Sequence, residues 1–196
     1  MASTIDICNM ALASIGQSQA IQDLGEASLA AQVCSLYYPT ALDAVLRSAA
    51  WGFALAWVPL AQVAVNPTSD YRYAYQLPAD CVATVRVLAG SGRVESVPVV
   101  YRTARSSGGT ILLTDQPAAV LQYVQRVTDP SVYPPDVVLA LAHQLAALIA
   151  MPLSVARERR QDAELAARRQ LAVAVRANAG EGLADPAPDC EFIGVR

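Results

Sequence analysis

One uncharged stretch dominates the apolar pattern of this chain, and it reads Val137-Val-Leu-Ala-Leu-Ala-His143-Gln-Leu-Ala-Ala-Leu-Ile149. Its large apolar residues recur every three or four positions, as on one face of a helix: Val138, Leu141, Leu145, Leu148 and Ile149. Alanines occupy much of the remaining surface, and no charged side chain interrupts it. Because a helix without a charged face must be covered on all sides, we expect other helices or neighbouring subunits to enclose this one.

The segment that follows predicts a helix of opposite character, over about residues 155–178. Charged side chains cover it: Arg157, Glu158, Arg159, Arg160, Asp162, Glu164, Arg168, Arg169 and Arg176. A narrow seam remains for packing, formed by Ala163, Ala167, Leu171 and Ala174. Because acids lie among the first arginines, this pattern favours a solvated, self-paired face or a charged subunit contact over phosphate binding.

Upstream, the apolar period changes to two, which predicts strands over residues 58–128. Aromatic residues alternate with other types from Tyr71 to Tyr75, and valines alternate in the same way around residues 84–88. Further strands are predicted over residues 97–101, 111–114 and 120–127. Gly90-Ser91-Gly92 and Ser106-Ser107-Gly108-Gly109 are predicted turns, since glycine supplies the backbone freedom that tight turns need.

The first 57 residues predict two more helices. Ser3 and Asp6 form an acidic variant of the capping box, which begins a helix that ends at Gly16. A second helix covers about residues 29–49, and Pro39 should kink or break it because proline removes a backbone donor and clashes with the preceding turn.

This order predicts an α+β protein with an antiparallel helical bundle core, formed by the N- and C-terminal helices, and a β-rich insertion. The predicted divisions are 1–57 for the N-terminal helices, 58–128 for the insertion, 129–179 for the C-terminal helices and 180–196 for an extended C-terminal arm. Pro186 and Pro188 disfavour helix in that arm.

Composition argues against several functions. All fourteen basic residues are arginine and the net charge is -3, which provides no field to attract nucleic acid. Two uncharged stretches, residues 48–69 and 137–156, contain too many prolines, polar residues or alanines to favour membrane insertion. Asp6 lies where a signal peptide needs an apolar run, so we expect the chain to stay in the cell that makes it.

No residue pattern predicts catalysis, a cofactor or a metal. The cysteines are widely spaced with a single histidine, His143, which a hydrogen-bonded role on its apolar helix explains better than catalysis. Asp43, Asp80 and Asp136 lie nearest apolar segments, but their spacing identifies no pair of the kind that a glycosidase needs. The sequence contains no glycine-rich phosphate loop, because neither Gly90-Ser91-Gly92 nor Gly108-Gly109 is followed by a predicted helix.

Four blocks in order resemble the head-tail adaptor family of short-tailed phages, also called tail tubular protein A. They are Ser3-Thr-Ile-Asp-Ile-Cys-Asn-Met-Ala-Leu12, Cys34-Ser-Leu-Tyr-Tyr-Pro39 with Ala49-Ala-Trp-Gly-Phe-Ala54, Tyr73-Ala-Tyr-Gln-Leu-Pro-Ala-Asp-Cys81, and Val127-Thr-Asp-Pro130. The resemblance covers roughly residues 3–180. It implies a virion protein of the tail or neck, present in the host cytoplasm before assembly.

The resemblance also implies partners. Adaptors of this family form a ring of twelve identical subunits below the portal protein, extend the channel through which DNA passes, and present a platform for the tail nozzle protein. A head-to-tail contact closes into such a ring when the rotation per subunit suits.

Five residues are predicted to bind partners. Phe192, Ile193 and Val195 form an apolar end on a polar arm, and segments of this kind commonly add a strand or plug a groove on a partner, the alternative being a disordered tail. Ala167 and Leu171 belong to the small-residue surface of the last helix. Two rival functions remain open: a tail-associated peptidoglycan hydrolase, since some relatives have been credited with that activity, and a small DNA-binding helical protein.

Overall fold

The computed structural model describes residues 2–90, 98–106 and 108–181. Within these residues the chain forms helices and strands in the order α1 (Thr4–Ser14), α2 (Leu29–Arg47), β1 (Leu55–Pro59), β2 (Tyr73–Gln76), β3 (Cys81–Leu88), β4 (Tyr101–Ser106), β5 (Gly109–Thr114), β6 (Val120–Gln125), α3 (Pro135–Ile149) and α4 (Arg157–Gly180). Short 3-10 helices cover Gly52–Ala54 and Pro130–Val132.

The first helix begins and ends where its sequence predicts. The Ser3 hydroxyl accepts a hydrogen bond from the backbone N–H of Asp6 at 3.1 Å, and the Asp6 carboxylate accepts one from the backbone N–H of Ser3 at 2.8 Å. Gly16 follows the last turn with a φ of 78°, a conformation that glycine adopts without strain. By contrast, α2 continues through Pro39 as one helix, so the proline does not divide it.

Six strands of the described residues form two antiparallel sheets. The inner sheet has the order β1-β6-β3 and the outer sheet the order β2-β5-β4. In the outer sheet, Ser106 pairs with Gly109 across the predicted turn. The strand predicted over residues 97–101 is displaced: residues 98–100 are irregular and β4 begins at Tyr101.

The inner sheet separates the helices from the outer sheet. Its central strand β6 is buried on both faces because Val124 lies in the helical core, whereas Leu121 and Tyr123 pack with Tyr75 and Leu112 of the outer sheet. Alternate residues of a strand point to opposite faces, so one strand serves both cores. The architecture is therefore a helical layer, an inner sheet and an outer sheet.

The chain is α+β, but the predicted antiparallel helical bundle core is wrong. α3 is the central helix: α1, α2 and α4 each pack against it, whereas α1 and α2 make few contacts with each other. Strands complete this core, since Val124 lies in it and Val82, Ala83 and Val85 of β3 pack against it. Periodicity shows that a helix has an apolar face, but not whether a helix or a sheet covers that face.

Three helices cover most of α3, but Leu139 remains 43% exposed, so the expectation that α3 is covered on all sides holds only in part. Its buried residues are Val137, Val138, Ala140, Leu141, Ala142, Leu145, Ala146 and Ile149. Among the helices of the described residues, none is long and apolar enough to cross a membrane.

Candidate functional site

Two of the three candidate carboxylates meet in one polar pocket between α2 and the inner sheet. Asp43 lies on α2 and Asp80 lies in the turn before β3. The pocket has a volume of about 270 Å³, and its other lining residues are Arg47, Ala79, Cys81, Val82 and Arg126. Asp136 is not among them, since it lies in the first turn of α3.

Asp43 is neutralised by an arginine from the end of the inner sheet. Nε of Arg126 lies 2.8 Å from Oδ1 of Asp43, and Nη2 donates a hydrogen bond to Oδ2 at 2.9 Å. Arg47, one turn further along α2, donates from Nη1 to the backbone oxygen of Val82 at 2.6 Å. Both arginines therefore join α2 to the sheet.

Asp80 is held from the same sheet. Its Oδ2 accepts a hydrogen bond from Nε2 of Gln125 at 2.9 Å, and its Oδ1 accepts one from the Tyr123 hydroxyl at 3.3 Å. The backbone oxygen of Asp80 also accepts from the backbone N–H of Arg126 at 2.8 Å. The two carboxylates thus have separate partners that hold them in place.

Cys81 is the one thiol that lines this pocket. Burial, and then the negative charge of Asp80, raises its pKa to about 11. A thiol with so high a pKa carries little thiolate near neutral pH and is a poor nucleophile. The side chains of this pocket therefore serve to hold α2 against the inner sheet.

Two further cysteines lie in the helical core. Cys8 of α1 and Cys34 of α2 are buried, and their side chains share a hydrogen bond that, together with burial, raises the pKa of Cys8. Among the described residues no three His, Cys, Asp or Glu side chains cluster as a metal site would require. His143 lies half-buried on α3, and Cys190 falls outside the described residues.

The most apolar of the surface clefts described lies on α4. It is a groove of about 480 Å³ lined by Ser48, Arg168, Leu171, Ala172, Val175, Arg176 and Ala179. We call it the α4 groove. All of its residues except Ser48, which follows α2, belong to one stripe of α4 with helical spacing.

The α4 groove lies beside the stripe by which α4 packs on the core. The core stripe consists of small side chains, with Ala163, Ala167 and Ala174 as the buried residues of the helix. Leu171 and Val175 are half-buried at the edge of that core, so part of each side chain remains available to another molecule. In the groove the larger Leu171 and Val175 lie next to the small side chains of Ala172 and Ala179.

The structure places the predicted partner-binding residues in two settings. Ala167 is 3% exposed and packs inside the subunit, whereas Leu171 lines the α4 groove. Phe192, Ile193 and Val195 lie outside the described residues. The groove itself was not predicted, because the sequence assigns Ala172, Val175 and Ala179 only to a charged helix. These three residues lie one, four and eight positions after Leu171, and this spacing on one side of a helix could have revealed the groove.

Comparisons with known proteins yield no assignment: no protein-family profile matches the chain, and no curated protein sequence matches it.

Proposed function

We propose that this chain is a structural subunit of a head-to-tail adaptor ring, which joins a phage portal to the tail nozzle and extends the DNA channel. The resemblance of the four sequence blocks to the adaptor family suggests this function. The observation that carries it in the structure is the α4 groove, an apolar surface on a helix that is otherwise charged.

Several residues of the four blocks support a structural role because they cap a helix or connect one element of the fold to another. Ser3 and Asp6 cap α1. Trp51 is fully buried, and its Nε1 donates a hydrogen bond to the backbone oxygen of Val45 at 2.8 Å. Asp80 links β3 to β6. Residues with these contacts stabilise the fold of the subunit, and other residues on its surface remain available for assembly.

Exposed apolar side chains occur on several elements of the described residues, as expected of a subunit that is covered by partners. The larger ones on helices are Leu29, Leu36, Leu139, Leu165 and Val173, and Met151 lies in the turn after α3. Scattered exposed residues are common in monomers, so the contiguous groove carries more weight than these positions.

The net charge of -3 suits a channel through which DNA passes without being held. Firm binding to DNA depends on basic side chains that contact phosphates. The arginines of this chain are matched by a larger number of acids, so a ring of such subunits need not retain DNA.

Native mass spectrometry of the purified chain, with and without portal rings of a short-tailed phage, tests the proposal. We expect portal-bound assemblies that contain twelve copies of the 20.7 kDa chain, and by electron microscopy a ring coaxial with the portal. Isolated procapsid scaffolding protein serves as a control partner that should not nucleate a ring. A chain that never binds portal rings at any ratio contradicts the proposal.

A further inference from the structure

We propose that the α4 groove receives the C-terminal residues 183–196 of a second copy of this chain. The inference rests on the proposed ring function and names the contact that joins neighbouring subunits. It is drawn from the chemistry of the groove, the chemistry of the segment, and the position at which α4 ends.

The α4 groove combines an apolar floor with a basic rim. Leu171, Ala172, Val175 and Ala179 form the floor, and Arg168 and Arg176 stand about two helical turns apart along it. The described residues contain one ion pair, between Asp43 and Arg126, so neither rim arginine has an acidic partner among them. Glu164, at the favourable spacing from Arg168, does not pair with it there. The groove therefore suits an acidic segment with apolar side chains.

Residues 183–196 have that composition. Asp185, Asp189 and Glu191 precede or flank the apolar side chains of Phe192, Ile193 and Val195. Guanidinium groups bind carboxylates well, and the apolar side chains would cover Leu171 and Val175. The segment thus matches the groove in both charge and apolar content.

The position at which α4 ends favours a second copy over the same subunit. α4 ends at Gly180, immediately beyond the groove residue Ala179. The groove from Arg168 to Ala179 spans only about 16 Å of helix axis. To enter the groove of its own subunit, residues 183–196 would have to reverse direction directly after Gly180 and run back along α4, whereas the same residues of a second copy need no such reversal. We therefore assign the groove to residues 183–196 of a second copy.

A contact of arm to groove is heterologous, since the two subunits contribute different surfaces. Contacts of this kind form closed rings when the rotation per subunit is suitable. Each subunit would offer one arm and one groove, which is the requirement for a ring of identical chains.

Complementation between two full-length variants tests the contact. In Ala172→Glu the groove is blocked and the arm is intact, whereas in Phe192→Asp the arm is impaired and the groove is intact. By sedimentation velocity, the wild-type chain should self-associate with increasing concentration, and each variant alone should associate at least about tenfold more weakly. An equimolar mixture should form a dimer of one copy of each, because one functional arm and one functional groove remain.

Two matched variants control for charge. Ala177→Glu introduces the same charge at an exposed position of α4 outside the groove, and Ala187→Asp does so in the arm away from Phe192. Both should associate as the wild type does. Equal weakening by these controls would overturn the assignment to this groove.

The remaining outcomes identify other occupants and overturn the proposal. A wild-type chain that stays monomeric, and that is destabilised by Phe192→Asp, would place the arm in its own groove. A mixture of the variants that stays monomeric while the wild type associates would place the subunit contact elsewhere. Rings that Ala172→Glu forms on portals as well as the wild type would overturn this contact and leave the proposed function standing.

Discussion

Asn178 Oδ1 accepts a hydrogen bond of 2.9 Å from the backbone N–H of Gly52, a residue 126 positions earlier in the chain. Nδ2 of the same side chain donates to the backbone oxygen of Ala50 at 3.0 Å. One amide thus satisfies both a donor and an acceptor of the loop between α2 and β1. This clamp fixes the last turn of α4, and with it the end of the α4 groove, to the helical core.

Removing the clamp should destabilise the chain. Asn178→Ala deletes both hydrogen bonds, and we expect the free energy of unfolding to fall by about 1 to 3 kcal/mol. Urea unfolding monitored by circular dichroism measures the change. Arg169→Ala, at an exposed position of the same helix, should stay within about 0.5 kcal/mol of the wild type. Equal stabilities of wild type and Asn178→Ala would show that water replaces the clamp without loss.

The helical core should depend on the inner sheet. Val124 of β6 is 1% exposed among the helices, so Val124→Ala removes two buried methyl groups and should lower the free energy of unfolding by about 2 kcal/mol. The helical signal should be lost in the same transition. Val65→Ala, at an exposed loop position, is the matched control and should have little effect. Helices that survive in Val124→Ala after the sheet has unfolded would contradict a shared core.

Ala167 should tolerate no large side chain. It is buried where α4 packs on the core, so Ala167→Arg places bulk and an unpaired charge inside the subunit. We expect a loss of at least about 3 kcal/mol, measured by thermal or urea unfolding. The same substitution at the exposed Ala177 should be nearly neutral. A stable Ala167→Arg chain that fails only in ring formation would instead move Ala167 to the subunit interface.

The cap of α1 predicts a dependence of stability on pH. The backbone N–H of Ser3, and then its hydroxyl, donate hydrogen bonds that hold the pKa of Asp6 below its ordinary value of 3.8. Because the folded-state pKa is depressed, the carboxylate stabilises the fold above 3.8 and this contribution is lost as the pH falls through the folded-state pKa. Asp6→Ala should therefore lower the melting temperature near neutral pH and have almost no effect in strong acid.

NMR titration provides an independent measure of the same cap. Ser3→Ala removes the hydroxyl and leaves the backbone N–H, so the pKa of Asp6 should rise part of the way towards 3.8. A pKa that does not change in Ser3→Ala would assign the whole shift to the backbone hydrogen bond.

The proposed structural role predicts that the chain does not degrade peptidoglycan. Asp43 is paired with Arg126, and Asp80 accepts hydrogen bonds from Gln125 and Tyr123, so other side chains engage both carboxylates of the pocket that they share. Zymography should give no lytic band for the wild-type chain. A band that disappears in both Asp43→Asn and Asp80→Asn would establish the hydrolase and refute the structural role.

Local structure can be predicted from the sequence wherever contacts between residues close together in the chain govern it. Ser3 and Asp6 predict the start of α1 because a capping box joins groups three residues apart. The spacing of leucines and alanines predicts α3 and the burial of most of its surface, since periodicity reflects burial along a single helix. Alternation around Tyr75 and in residues 120–127 predicts strands for the same reason.

The sequence pattern did not predict which surfaces meet, and three-dimensional packing shows it. Three features join residues that are far apart in the chain. They are the packing of β3 and β6 on the helices, the pocket that Asp43 and Asp80 share, and the hydrogen bond between Asn178 and Gly52. An apolar stripe carries no information about its partner, because burial by a helix or by a sheet removes the same area from water. For that reason the sequence predicted a helical bundle, whereas the packed chain places a sheet against its helices and leaves the α4 groove at its surface.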